Sequence, residues 1–81
     1  MERFFMTRDG WIYFNDLSEM GADGVQDVMA LLVAATTFAE GDGFTRVELR
    51  NACSDQLTDD GFKDAWNECV QCGHFARLMR S

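Results

Sequence analysis

Twelve consecutive residues without a charge, Val28 to Ala39, constrain this chain more than any other stretch. Asp27 precedes the run and Glu40 follows it. Apolar residues recur at Val25, Val28, Met29, Leu32 and Ala39 on helical spacing, and more apolar residues fill the gaps. A helix that is apolar all round is either a membrane span or the buried centre of a fold. A span needs about 18 apolar residues in a row, so the run predicts a buried central helix with Leu32 in the core.

The rest of the chain must wrap that helix, and its composition allows this. Apolar residues make up 47% of the 81, and seven Phe, two Trp and one Tyr supply large contact areas. That content argues against disorder and for one domain over 1–81. No basic region leads into an apolar run and a cleavage site, so no secretory signal is expected. An odd count of three cysteines does not suggest a disulfide framework, which favours a reducing cytoplasm. A net charge of −7 repels nucleic acid and anionic lipid over the average surface and attracts basic partners. No membrane association is expected.

Glu2 to Asp16 reads as a β-hairpin. Asp9-Gly10 is a strong two-residue turn signal, and aromatic runs flank it. In that register one face carries Phe5, Ile12 and Phe14, and the other carries Phe4, Met6, Trp11 and Tyr13. The domain core can cover one face, leaving the other to a helix, a second copy of the chain or a partner. Leu17 to Gly24 reads as a connector, with Asp23 as a cap for the central helix.

A second helix is expected from Thr45, where Thr45-Arg46-Val47-Glu48 fits a capping box. It should bury Leu49, Ala52 and Cys53 and stop near Asp55. Thr58 should cap a third helix, with Asp59 and Asp60 at the positive end of its dipole. Phe62, Ala65, Trp66, Cys69 and Val70 form its apolar stripe. Gly73 ends it, and His74 to Arg80 reads as a last strand. The expected fold is α+β, in the order ββαααβ, with the hairpin and last strand forming a small antiparallel sheet.

From Val25 onward, a long helix, a capped short helix, a tight turn, a capped third helix and a strand resemble a winged helix-turn-helix domain. The resemblance covers about two-thirds of the chain and is one of pattern, with no wing hairpin after the third helix. It implies a third helix directed at the major groove. Here that helix would present Asp60, Lys63, Asp64, Asn67, Glu68 and Gln71, a poor surface for displacing counterions from phosphates. Arg46, Arg50, Arg77 and Arg80 could still make a local basic patch.

Other chemistry finds little support. Gly41-Asp42-Gly43-Phe44 is faintly like a calcium loop, but with Gly43 as its central glycine, Phe38 and Leu49 fall at two ligand positions. Cys53, Cys69, Cys72 and His74 could together hold zinc. Yet two of these lie on apolar helix faces, where Cys behaves as a small core residue. Cys69-x-x-Cys72 sits at a helix C-terminus, where the dipole does not lower a thiol pKa. No nucleophile motif or phosphate loop is present. The expectation is a non-enzyme without cofactor or metal, which docks onto a protein with a basic surface. Trp11, Tyr13, Phe4, Met6, Asp59, Asp60, Asp64 and Glu68 are the candidate partner-binding residues. In general character such a chain resembles small acidic phage and mobile-element inhibitors, including anti-CRISPR proteins, which implies that it covers a nucleic-acid-binding groove. A winged-helix transcription regulator and an adaptor subunit of a larger assembly are the alternatives.

Overall fold

The computed structural model describes residues 2–20, 26–39 and 41–78. Strand β1 (Phe4–Met6) leads into helix α1 (Arg8–Met20); α2 (Gln26–Thr36), α3 (Arg46–Ala52) and α4 (Asp59–Gln71) follow, and β2 (Phe75–Arg77) closes the order. The class is α+β. Asp23, the expected cap of the central helix, and Arg80, in the expected last strand, lie outside the described residues.

The N-terminal hairpin is not formed. Residues 8–20 are helical, so the order is βααααβ rather than ββαααβ. Thr7 decides this locally. Its Oγ1 accepts the Gly10 N–H at 3.1 Å, and its carbonyl accepts the Trp11 N–H at 3.0 Å, which caps a helix where the turn was expected. Asp9 then lies in the first turn, the favourable end of the dipole. Gly10, Tyr13, Phe14 and Leu17 fall on the inward side at i, i+3, i+4 and i+7, while Ile12 is exposed. Gly10 is required by close approach: a Cβ there would stand 2.5 Å from the His74 carbonyl oxygen. With no hairpin, no shared face of Phe4, Met6, Trp11 and Tyr13 exists.

Helix α2 is the centre, as its sequence demands. Leu31 and Leu32 have no exposure, and Val28, Ala34 and Ala35 are buried beside them. The helix is not enclosed all round, since Val33 is exposed. It packs mainly on α4 and also on α1 and α3. It stops at Thr36, three residues before the charge-free run does. Thr36 and Thr37 donate their hydroxyls to the Val33 and Ala34 carbonyls, and i→i+3 bonds wind the chain out of the helix.

The capping box at α3 is formed on both sides: Thr45 Oγ1 accepts the Glu48 N–H, and Glu48 accepts the Thr45 N–H. The helix buries Leu49, with Cys53 buried at its C-cap; Ala52, expected inside, is exposed, and the helix ends at Ala52 rather than near Asp55. Thr58 caps α4 through the Gly61 N–H at 3.0 Å. Phe62, Ala65, Trp66 and Cys69 are buried, but Val70, at the edge of the stripe, is exposed. At the far end His74 N–H bonds Cys69 C=O, Gly73 N–H bonds Val70 C=O, and Gly73 takes a φ of 79°. This pair of bonds with a left-handed glycine is a Schellman stop.

The sheet is two-stranded and antiparallel, with Phe4, Phe5 and Met6 opposite Arg77, Ala76 and Phe75. Phe44 adds a bridge on the other side of β1, exchanging both backbone bonds with Phe4. Phe44 and Phe75 close over Trp66, and Phe4 meets Trp66 edge-on at 4.8 Å.

Candidate functional site

The face of α4 that points away from the core carries the clearest chemical pattern on the molecule. At about 100° per residue, Asp60, Asp64, Asn67 and Gln71 stand opposite the buried Phe62, Ala65, Trp66 and Cys69, and all four are exposed. Glu68 is exposed on the flank nearer α1 and α2. Asp27 of α2 joins that flank: its Oδ2 lies 3.0 Å from where a Cβ on Gly61 would stand. Asp27 was not among the residues expected from sequence, because only folding brings the start of α2 beside the start of α4. Asp60, Asp64 and Glu68 recur every four residues, so they form one row of carboxylates along the helix.

The opposite flank of α4, toward α3, holds cations. Arg46, Arg50 and Lys63 line a groove of about 380 Å³ together with Val47, Asp59, Asp60 and Phe62. The Arg46 and Arg50 guanidinium carbons lie 5.7 and 5.6 Å from the Phe62 ring centre, within cation–π range. Arg50 is ion-paired with Asp59, so that acid serves the α3–α4 contact as well as the helix dipole. Arg77 pairs with Glu2 at 3.4 Å. The expected patch of Arg46, Arg50 and Arg77 is therefore partly neutralised by its own neighbours.

Arg3 has a different task. It donates to the Asp42 and Gly43 carbonyls and to Glu48 Oε1, clamping the 41–43 turn to the start of α3. The Thr45 backbone N–H, followed by the Arg3 charge, holds the Glu48 carboxyl below the usual range. Those loop carbonyls are thus engaged by a cation of the chain itself.

Of the four aromatic and sulfur candidates of the N-terminal segment, only Met6 and Trp11 share a pocket. Phe4 rests on Trp66, while Met6, packed against the core, lines one small apolar pocket with Trp11, Phe5 and Phe38. Tyr13 stacks on His74 with ring centres 4.4 Å apart. Burial, with Glu68, Cys69 and Cys72 close by, pushes the Tyr13 hydroxyl pKa up. The structure therefore gathers the acidic candidates Asp59, Asp60, Asp64 and Glu68 on one helix and disperses the aromatic ones.

Cys53 and Cys69 are buried thiols and Cys72 is exposed. Burial raises the Cys53 pKa and pushes Cys69 up to about 12, so both stay protonated at neutral pH. Among the described residues, no three His, Cys, Asp or Glu side chains converge on a point where a metal could sit. No described helix is long and apolar enough to cross a membrane. No known protein family, curated protein or solved structure matches this chain.

Proposed function

We propose that the chain is a non-enzymatic protein that docks onto another protein through the acidic row of α4, covering a basic surface on that partner. The observation that carries this reading is the exposed row Asp60, Asp64 and Glu68, extended by Asp27, on a chain whose arginines Arg3, Arg50 and Arg77 are already ion-paired internally. A row of fixed carboxylates on a rigid helix mimics a polyanion and steers the approach of a basic partner. The general character of the chain remains similar to phage and mobile-element inhibitors such as anti-CRISPR proteins, whose role would be to occupy a nucleic-acid-binding groove. Two buried thiols suit a reducing cytoplasm.

The second reading is a winged-helix DNA-binding regulator. It is favoured by the run α2, α3, α4 and β2, with β1 beside β2 in the place of a wing strand and Phe44 bridged to the far side of β1. Its weakness is electrostatic, since α4 would bring its carboxylates to the phosphates.

The test compares Asp64→Asn with Glu68→Gln, both clear of the α3–α4 groove, against a control of equal charge, Asp16→Asn with Glu19→Gln on α1. The partner captured from a native lysate is identified, purified and measured for association with each protein. The docking reading expects a basic partner whose on-rate falls for the α4 pair, falls less for the control, and drops as salt rises. Equal behaviour of the two pairs would remove the acidic row from the interface.

A further inference from the structure

The surface around the start of α3 is shaped unlike the acidic row. Val47 is 62% exposed, the most exposed of the four apolar β-branched residues, Ile12, Val33, Val47 and Val70, that the described helices leave at the surface. It stands beside Arg46 as the wall shared by two grooves. One is the 380 Å³ groove toward α4; the other, of about 300 Å³, is lined by Glu2, Phe4, Thr45, Arg46, Val47 and Trp66. An apolar ridge with a hollow on each side is the relief that a two-fold contact needs, because each copy must offer both a knob and a hole.

The charges on this face agree with that relief. Its lining holds three cations, Arg46, Arg50 and Lys63, and three carboxylates, Glu2, Asp59 and Asp60. The chain as a whole carries −7, so two copies repel each other over most orientations. Here the local balance is neutral, and each sign finds its complement on the same patch. The floor is aromatic, with Phe62 and Trp66 under the Arg46 guanidinium. Buried aromatic residues with arginine are the composition that interface centres favour.

We infer that this face is a self-association surface: a second copy of the chain docks across a two-fold axis, with Val47 of each copy set into a groove of the other. Asp64 and Glu68 of each α4, which lie clear of the groove, then remain on the outside of the pair, while Asp60 sits at its edge. The occupant is another copy rather than an acidic peptide, because an acidic peptide would leave Glu2, Asp59 and Asp60 facing like charge.

Sedimentation equilibrium over a range of protein concentrations tests this directly. The unmodified chain should show twice the 9.2 kDa chain mass at the upper concentrations. Val47→Glu should raise the dimer dissociation constant by at least about tenfold, while its thermal melt by circular dichroism, taken at a dilution where both chains are monomers, stays unchanged because Val47 is exposed. Val33→Glu, which places the same charge on an exposed valine of α2, should leave the dimer intact. A monomer at every concentration, or a dimer that Val47→Glu and Val33→Glu weaken equally, would overturn the inference. So would a monomer whose Val47 and Phe62 NMR signals shift on titration with an acidic peptide, which would assign the face to that ligand instead.

Discussion

Replacing Thr7 by Ala should destabilise the fold by about 1–2 kcal/mol, and replacing it by Ser should not. Thr7 Oγ1 caps α1 through Gly10 N–H and donates to the Gly73 carbonyl at 2.6 Å, joining the first helix to the stop of the last. A lost N-cap costs about 0.5–2 kcal/mol, and a lost hydrogen bond about 0.5–1.5 kcal/mol net. Thr7 is only partly buried, so water replaces some of each bond, and the lower half of the combined range applies. With an m-value of about 1 kcal/mol per molar urea, the midpoint should fall by about 1–2 M. Thr7→Ser keeps the hydroxyl and should stay within about 0.5 kcal/mol of the unmodified chain. Urea melts followed at 222 nm read both variants. An unmoved midpoint for Thr7→Ala, or an equal loss for Thr7→Ser, would refute Thr7 as the residue that starts α1.

Leu32→Ala should cost about 2–5 kcal/mol, the range for emptying a filled core site, because Leu32 has no exposure at the centre of α2; a midpoint shift near zero in urea would contradict the central placement. Alkaline pH should also destabilise the fold through Cys69. Its folded pKa is raised to about 12, so the unfolded thiol loses its proton first, near pH 8.5. Stability is full below that pH and declines as pH rises toward 12. Chemical melts at stepped pH should show a shallower alkaline decline in Cys69→Ala, and an identical slope would rule Cys69 out as a contributor.

The elements legible in the sequence are those where local chemistry and tertiary packing agree. Thr45 with Glu48, Thr58, and the Phe62-to-Cys69 stripe each combine a cap with a helical period, and each appears where expected. In the N-terminal segment the local signals conflict. Trp11, Ile12, Tyr13 and Phe14 favour strand, and Asp9-Gly10 favours a turn. The same segment also carries helical spacing at Gly10, Tyr13, Phe14 and Leu17, with Thr7 ahead of it as a cap. Packing of Tyr13 on His74, a contact between residues more than forty positions apart, and of Leu17 into the core settles the matter. The acidic row of α4 was legible because helical period alone places it. The addition of Asp27 and the Val47 ridge was not, since both depend on how α2, α3 and α4 meet.

Fluorescence anisotropy of a labelled DNA duplex at physiological salt tests the central claim most directly, with the unmodified chain and the Asp64→Asn, Glu68→Gln pair titrated side by side. If α4 is a docking surface for a basic protein, neither chain should bind the duplex, because the exposed carboxylates of Asp60, Asp64 and Glu68 repel phosphates. Tight binding by the unmodified chain, strengthened when the two charges are removed, would contradict docking and establish α4 as a DNA-reading helix.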